Sequence, residues 1–202
     1  MSEHESGQVE ANAAVVYDEL FVPALFGRFA ERVADVADVG SNDAVIDVAC
    51  GTGALTRAVA ARTSGSVTGV DISPDMLHVA RRHGGDAHYQ EADAQSLPFE
   101  RGRFDLAVSQ FGVMFLPEPA TGVAEMARVA ARGLIAVWDS IERSEGYTAM
   151  QQLFRDELGD EAAASLDAPF SMGRDGVLED IVSTGGVADA SFTRISGTGR
   201  FA

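Results

Sequence analysis

The sequence predicts an α/β fold, a doubly wound and mostly parallel sheet with helices on both faces, and three observations carry that expectation. Short apolar runs of strand length alternate with segments of helical period along most of the chain. The runs are continuous rather than alternating, as strands are when helices cover both faces of a sheet. A turn of small residues, Cys50-Gly51-Thr52-Gly53, joins the first run directly to a helix, and a glycine-rich strand-to-helix turn is the signature of a crossover unit with a ligand crevice beyond the strand ends.

Taken in order, Val15 to Val36 places Val15, Leu20, Phe21, Leu25, Phe26, Phe29 and Val33 at helical spacing with Pro23 in the middle. Proline removes a donor and crowds the preceding turn, so this stretch reads as two helices or one kinked helix. Val39 to Asp43 is a turn, and Ala44 to Ala49 is a strand buried on both faces. The alternation continues with helix Ala54 to Arg62, strand Val67 to Ile72, helix Pro74 to Arg82, strand Ala87 to Ala92, strand Phe104 to Phe111, helix Ala120 to Ala131 and strand Leu134 to Trp138. Ser73 before Pro74 supplies a cap and a proline at the first helical position. Beyond Asp139, Glu145 to Leu158 and Asp175 to Thr184 read as helices and Ala190 to Ile195 as one last strand.

Composition bounds the function. A chain of 202 residues, 46% apolar and 23% charged, suits one soluble domain with a core of its own, and the single Cys50 excludes an internal disulfide. All 15 basic residues are arginines against 31 acids, a net charge of −16. Such a surface repels phosphate backbones, so no nucleic-acid partner is expected. The N-terminus lacks the basic start and apolar stretch of a signal peptide, and no window reaches a membrane span. The expectation is a cytoplasmic protein with no membrane partner. His4, His78, His83 and His88 show no metal-binding spacing, so no metal is expected.

The chemistry concentrates at predicted strand ends. Small residues between Asp47 and Thr56 let a ligand approach the backbone closely. By itself this turn also approximates a dinucleotide fingerprint with its third glycine replaced. Asp71 ends the second strand about 20 residues on, where a carboxylate accepts from both hydroxyls of a ribose, a feature that NAD and S-adenosylmethionine (SAM) sites share. Asp93, at the end of the third strand, can accept from an adenine amino group. Asp47, just before the glycine turn, is poorly placed beside a pyrophosphate and well placed for a cationic ammonium.

Four runs in order, Val45 to Thr56, Val70 to Leu77, Glu91 to Phe99 and Phe104 to Ser109, resemble the class I SAM-dependent methyltransferases. The resemblance is to the ubiquinone/menaquinone C-methyltransferase-like branch (methyltransferase type 11 or type 25 domain) and covers roughly Tyr17 to Asp139. It implies a Rossmann-like methyltransferase fold, with residues 15–38 as a helical lid, 44–139 as the cofactor core and 140–202 as a C-terminal, substrate-side segment, all one domain behind a flexible tail at 1–14. It also implies that backbone at Ala49, Gly51 and Gly53 surrounds the methionine part of SAM, and that Asp71 holds the ribose. Ile72 and Met76 would flank the adenine, Asp93 would face its amino group with Ala94 nearby, and Ser109 or Gln110 would offer a carbonyl to the ammonium. Tyr17 resembles a lid residue. Where the family has glycine, this chain has Ala49.

The resemblance thus implies a SAM-dependent methyltransferase, yielding S-adenosylhomocysteine (SAH) and a methylated small molecule. The sulfonium is already activated, so orientation and electrostatics suffice and no general base is assigned. Candidates for the acceptor pocket are Phe21, Phe26, Phe111, Met114 and Trp138, with Tyr17 and Gln110 at its border. Enzymes of this fold finish with an antiparallel strand pair, and after Ala190 to Ile195 this sequence reaches Phe201 and Ala202, so the final antiparallel strand is expected to be missing. The alternative is therefore a SAM-binding protein without turnover. An NAD-dependent oxidoreductase is disfavoured by the absence of any lysine.

Overall fold

The structure is a computed structural model that describes residues 13–200. Most of the predicted N-terminal tail, residues 1–12, lies outside the described residues; residues 13–16 are already helical. Two continuous helical segments open the fold, α1 (Tyr17–Phe26) and α2 (Gly27–Val36). The chain then runs β1 (Val45–Val48), α3 (Ala54–Ala60), β2 (Val67–Asp71), α4 (Pro74–Arg82), β3 (His88–Glu91), β4 (Phe104–Gln110), α5 (Pro119–Val129) and β5 (Ala130–Ala136). Three more helices, α6 (Glu145–Leu158), α7 (Asp160–Ala164) and α8 (Val177–Thr184), complete it, with short 3-10 turns at Val113–Phe115, Ile141–Arg143 and Ala168–Gly173.

All five strands are parallel, in the order β3-β2-β1-β4-β5. The chain winds outward from β1 to β3, returns and winds the other way through β4 and β5. A crevice therefore opens at the carboxyl ends of β1 and β4, where the winding reverses. The period of two along β1 divides its side chains: Ile46 and Val48 join one core with Val70, Met126 and Val129, while Val45 joins the other with Val33, Val59 and Leu106. Asp47 shares the face of Val45 and so meets α3, where Thr56 waits for it.

Several sequence expectations are corrected. Pro23 neither ends nor splits the first helix; α1 is wound as a wide π-helix, with the Gly27 N–H donating to the Val22 carbonyl five residues back. Carbonyls of this wide stretch take donors from elsewhere, Phe26 from the Gln110 side chain at 3.0 Å and Ala24 from the Arg200 N–H at 3.0 Å. β5 begins at Ala130, directly after α5, because the sheet edge tolerates the exposed Ala131, Arg132 and Gly133 that break an apolar pattern. Ala190 to Ile195 forms no strand. Its surroundings explain why: Arg194 is drawn to Asp139 and Asp175, and Gly197 and Gly199 lie against Phe29 and Leu25 of the first two helices. The segment is held through the Arg194 side chain rather than by a backbone ladder, and the residues after it, 196–200, lie over α1 and α2. Among the described residues, no helix is long and apolar enough to cross a membrane.

Candidate functional site

The glycine turn after β1 is left-handed at three points, Ala49 (φ 56°), Gly51 (φ 55°) and Gly53 (φ 79°). Gly53 opens α3, and a β-carbon there would lie 2.5 Å from the Tyr89 hydroxyl, so glycine is required by packing as well as by backbone. At Gly51 the same position is open space. Asp71 organises this turn from the tip of β2. Its Oδ2 accepts from the Gly51 N–H at 2.7 Å and its Oδ1 from the Ser73 N–H at 2.9 Å. Ser73 in turn caps α4 by accepting from the Met76 N–H.

Asp47 is 1% exposed. Its Oδ2 accepts from the Thr56 hydroxyl at 2.6 Å, and its Oδ1 is buried without a partner. Burial foremost, and then the Asp71 charge, push its pKa up to about 7, against the Thr56 hydrogen bond. Burial also raises Asp71, opposed by the backbone N–H groups it accepts from. Cys50 beside them is held as a thiol by burial and by both carboxylates.

Opposite these acids, α1 covers the crevice. The Tyr17 ring stacks on Phe26 at 4.9 Å, and burial together with Asp71 and Asp18 keeps the phenol protonated. Two contacts tie α1 to the sheet end. Gln110, at the tip of β4, donates through Nε2 to the Phe26 carbonyl, and Asp18 meets His83 just past α4 at 2.7 Å. Phe111, immediately after β4, adopts φ 56°, a costly conformation for a bulky residue. It stacks flat on Trp138, ring centroids 3.9 Å apart.

Between these two walls lies a cavity of about 300 Å³. It gathers Tyr17, Phe26, Asp47, Ala49, Gly51, Asp71, Ile72, Met76, Gln110 and Phe111 from the residues singled out in the sequence. The others lie around it. Gly53 is turned toward Tyr89, Ser109 is fully buried and outside the lining, and Met114 sits in the core. Trp138 stands behind Phe111 rather than at the surface of the cavity, because the stacked ring of Phe111 covers it. Phe21 packs against Tyr17 at 6.1 Å and is 39% exposed. Asp93 and Ala94 stand outside the lining, yet close to Asp71, since the Ala92 N–H donates to the Asp71 carbonyl. The Asp93 carboxylate accepts from the Gln95 N–H at 2.8 Å, which fixes the turn after β3.

Sequence reasoning missed Val22, Thr52, Gly112, Phe115 and Leu116, which also line the cavity. Thr52 lay inside the glycine motif and could have been read from it. Phe115 and Leu116 come after the bend at Phe111, for which the sequence offers no periodic signal. Among the described residues, no lining side chain is basic, and the charged ones there are Asp47 and Asp71. Among the described residues, too, no group of histidines, cysteines and acids is placed to hold a metal ion.

Residues 45–133 match the family model described as a methyltransferase domain. The chain is 33% identical over 156 residues to the chloroplastic tocopherol O-methyltransferase of Arabidopsis thaliana, covering 73% of this chain and 42% of that one. It is 35% identical over 108 residues to a ubiquinone/menaquinone biosynthesis C-methyltransferase of a Geobacter species, covering 48% of this chain and 46% of that one. It therefore spans less than half the length of these curated relatives. In fold it resembles a Methanococcus maripaludis protein assigned to the SAM-dependent methyltransferases, with TM-score 0.64, 20% identity and 94% of this chain and 88% of that one covered. A SAM-dependent methyltransferase from Aquifex aeolicus superposes with TM-score 0.51 at 19% identity, covering 63% of this chain and 77% of that one. Residues 45–133 are thus similar to a methyltransferase domain, and the parallel sheet shares its fold with the SAM-dependent methyltransferases that superpose on it.

Proposed function

We propose that this chain binds SAM at the tips of β1 and β2 and transfers its methyl group to a small, uncharged, apolar acceptor. One observation carries the reading: a cavity walled by a glycine turn holds two carboxylates and, among the described residues, no basic side chain. Such a site favours a cation and disfavours the pyrophosphate of a dinucleotide. The residues fit the group. Asp47 presents a buried, unpartnered oxygen for the ammonium, and the open space at Gly51 admits the ligand against the backbone, with Ala49 and Gly53 completing the turn. Each Asp71 oxygen has spent one lone pair on a backbone N–H and retains another for a ribose hydroxyl. Ile72, 69% exposed despite its apolar side chain, and Met76 are the candidates for the adenine faces, with Asp93 and the Ala94 backbone at its edge. The Ser109 or Gln110 carbonyl completes the ammonium site, and Tyr17 closes the site from α1.

Bound SAM supplies a methyl group on a sulfonium that needs no further activation. This chain's own part is to hold the acceptor in line and keep water out. Tyr17, Val22, Phe26, Phe111, Phe115 and Leu116 form the apolar bank for that purpose, with Phe21 at its rim and Met114 and Trp138 supporting it from behind. The relatives named as methyltransferases favour turnover over a binding protein without activity.

Calorimetric titration with SAM, SAH and NAD tests the cofactor. SAM and SAH are expected to bind and NAD is not; binding of NAD without SAM overturns the reading. Transfer of labelled methyl to apolar phenols and quinols, and none to phosphorylated analogues, tests the acceptor class.

A further inference from the structure

Asp47 has an unusual set of neighbours for a charged group. The Thr56 hydroxyl on α3 donates to one of its oxygens, and the other is buried without a donor. The titratable groups that face it are Asp71 at the tip of β2, Cys50 in the glycine turn and Tyr89 on β3, whose phenol also feels Arg57 of α3. From β4 its register partner is the apolar Val108. Among the described residues, no cation lines the cavity. Two ionised carboxylates here would repel each other in a poorly solvated space with no countercharge, so one of them holds a proton. Asp71 has the backbone N–H groups of Gly51, Ser73 and Ile72 to stabilise its charge, and Asp47 has Thr56 alone, through its hydroxyl and its N–H. The proton therefore falls to Asp47, in keeping with the direction in which burial moves it.

We propose that Asp47 is a proton-exchange site for cofactor capture: a neutral carboxylic acid when the cavity holds no cation, and a carboxylate once the ammonium of SAM or SAH arrives. The inference rests on the proposed cofactor. One O–H bond breaks at Asp47, its proton leaves to solvent, and the carboxylate forms an ion pair with an ammonium that keeps all its protons. No electrons are transferred. The positive charge that the ammonium brings into the site is matched by the one that leaves with the proton, and below pH about 7 the empty protein is spared a buried unpaired anion.

The test is calorimetric titration of the whole chain with SAH in buffers of different ionisation enthalpy, across a series of pH values. The expected result is release of close to one proton at pH about 6, declining above pH about 7, with affinity weakening up to about tenfold per pH unit on the acid side. Methylthioadenosine, which keeps the nucleoside and lacks the ammonium, is expected to bind with no proton released. D47N should abolish the buffer dependence of SAH binding. Should D47N not fold, infrared difference spectra of the wild-type chain provide the second measurement, where a protonated carboxyl band must disappear on adding SAH. SAH binding without proton release over the whole range, a retained buffer dependence in D47N, or no loss of that band overturns the assignment of Asp47 and leaves the cofactor reading standing. Absence of SAM and SAH binding at every pH overturns the cofactor reading, and this inference with it.

Discussion

Ala49 and Gly112 face each other across the mouth of the crevice, and exchanging their sizes should reveal strain at one and crowding at the other. Ala49 holds φ 56°, a region where an L-residue's β-carbon crowds the backbone at a cost of about 1–2 kcal/mol. Glycine relieves that strain but loses about 0.5–1 kcal/mol through the greater freedom of its unfolded chain. A49G is therefore expected to gain up to about 1 kcal/mol, raising the melting temperature by about 2–4 °C for a chain of this size. Gly112 has an ordinary right-handed backbone, φ −105°, so alanine fits there conformationally. Sterically it does not, because its β-carbon would come within 2.5 Å of the Ala49 β-carbon and 3.2 Å of the Ala49 carbonyl and Ser109 Oγ. G112A alone should cost about 1–3 kcal/mol. In the A49G background the shortest of those contacts is gone, and the cost should fall by about 1 kcal/mol or more. Urea denaturation of the four proteins gives the coupling energy directly. An A49G protein less stable than wild type, or a G112A cost unchanged between the two backgrounds, would refute the reasoning.

Three further predictions concern the same strand tips. Burial raises the folded pKa of Asp47 to about 7, so the folded protein binds more protons than the unfolded chain between pH about 4 and about 7. The stability present below that window is lost as pH rises through it, by at most about 4 kcal/mol at 1.36 kcal/mol per unit; melting curves over pH should slope downward for wild type and much less for D47N. D71N removes the charge that gathers the Gly51 and Ser73 N–H groups, and should cost about 1–3 kcal/mol in denaturation and at least about tenfold in SAM affinity by calorimetry. S73A deletes the cap of α4 and should cost about 1 kcal/mol, read by thermal melting.

How much of this was legible in the sequence depended on burial. β1 and β2 are almost wholly buried, so their apolar runs announced them, and the Ser73-Pro74 start placed α4 at its observed ends. β5 starts on an exposed edge, where Ala131, Arg132 and Gly133 look like the end of a helix. Ala190 to Ile195 alternates like a strand, but the neighbours that hold it, Asp139 and Asp175, belong to distant parts of the chain. The winding of α1 was hidden for the same reason, since Gln110 and Arg200 supply donors from far along the sequence. Asp47, Asp71 and the glycines were readable because spacing from strand ends fixes where they meet. The bank formed by Phe115 and Leu116 depends on the left-handed turn at Phe111, which no local pattern foretells.

The two sides of the cavity are carried by separate stretches of chain. Its two carboxylates and its glycine turn come from the ends of β1 and β2, within residues 47–76, while its apolar bank comes from α1 and the residues just after β4. Substitutions at Val22, Phe115 or Leu116 can consequently reshape one half of the cleft without disturbing the carboxylates and glycines of the other. A scaffold divided in this way is open to retargeting: mutational drift in one bank changes what is admitted, while the other goes on holding the same ligand.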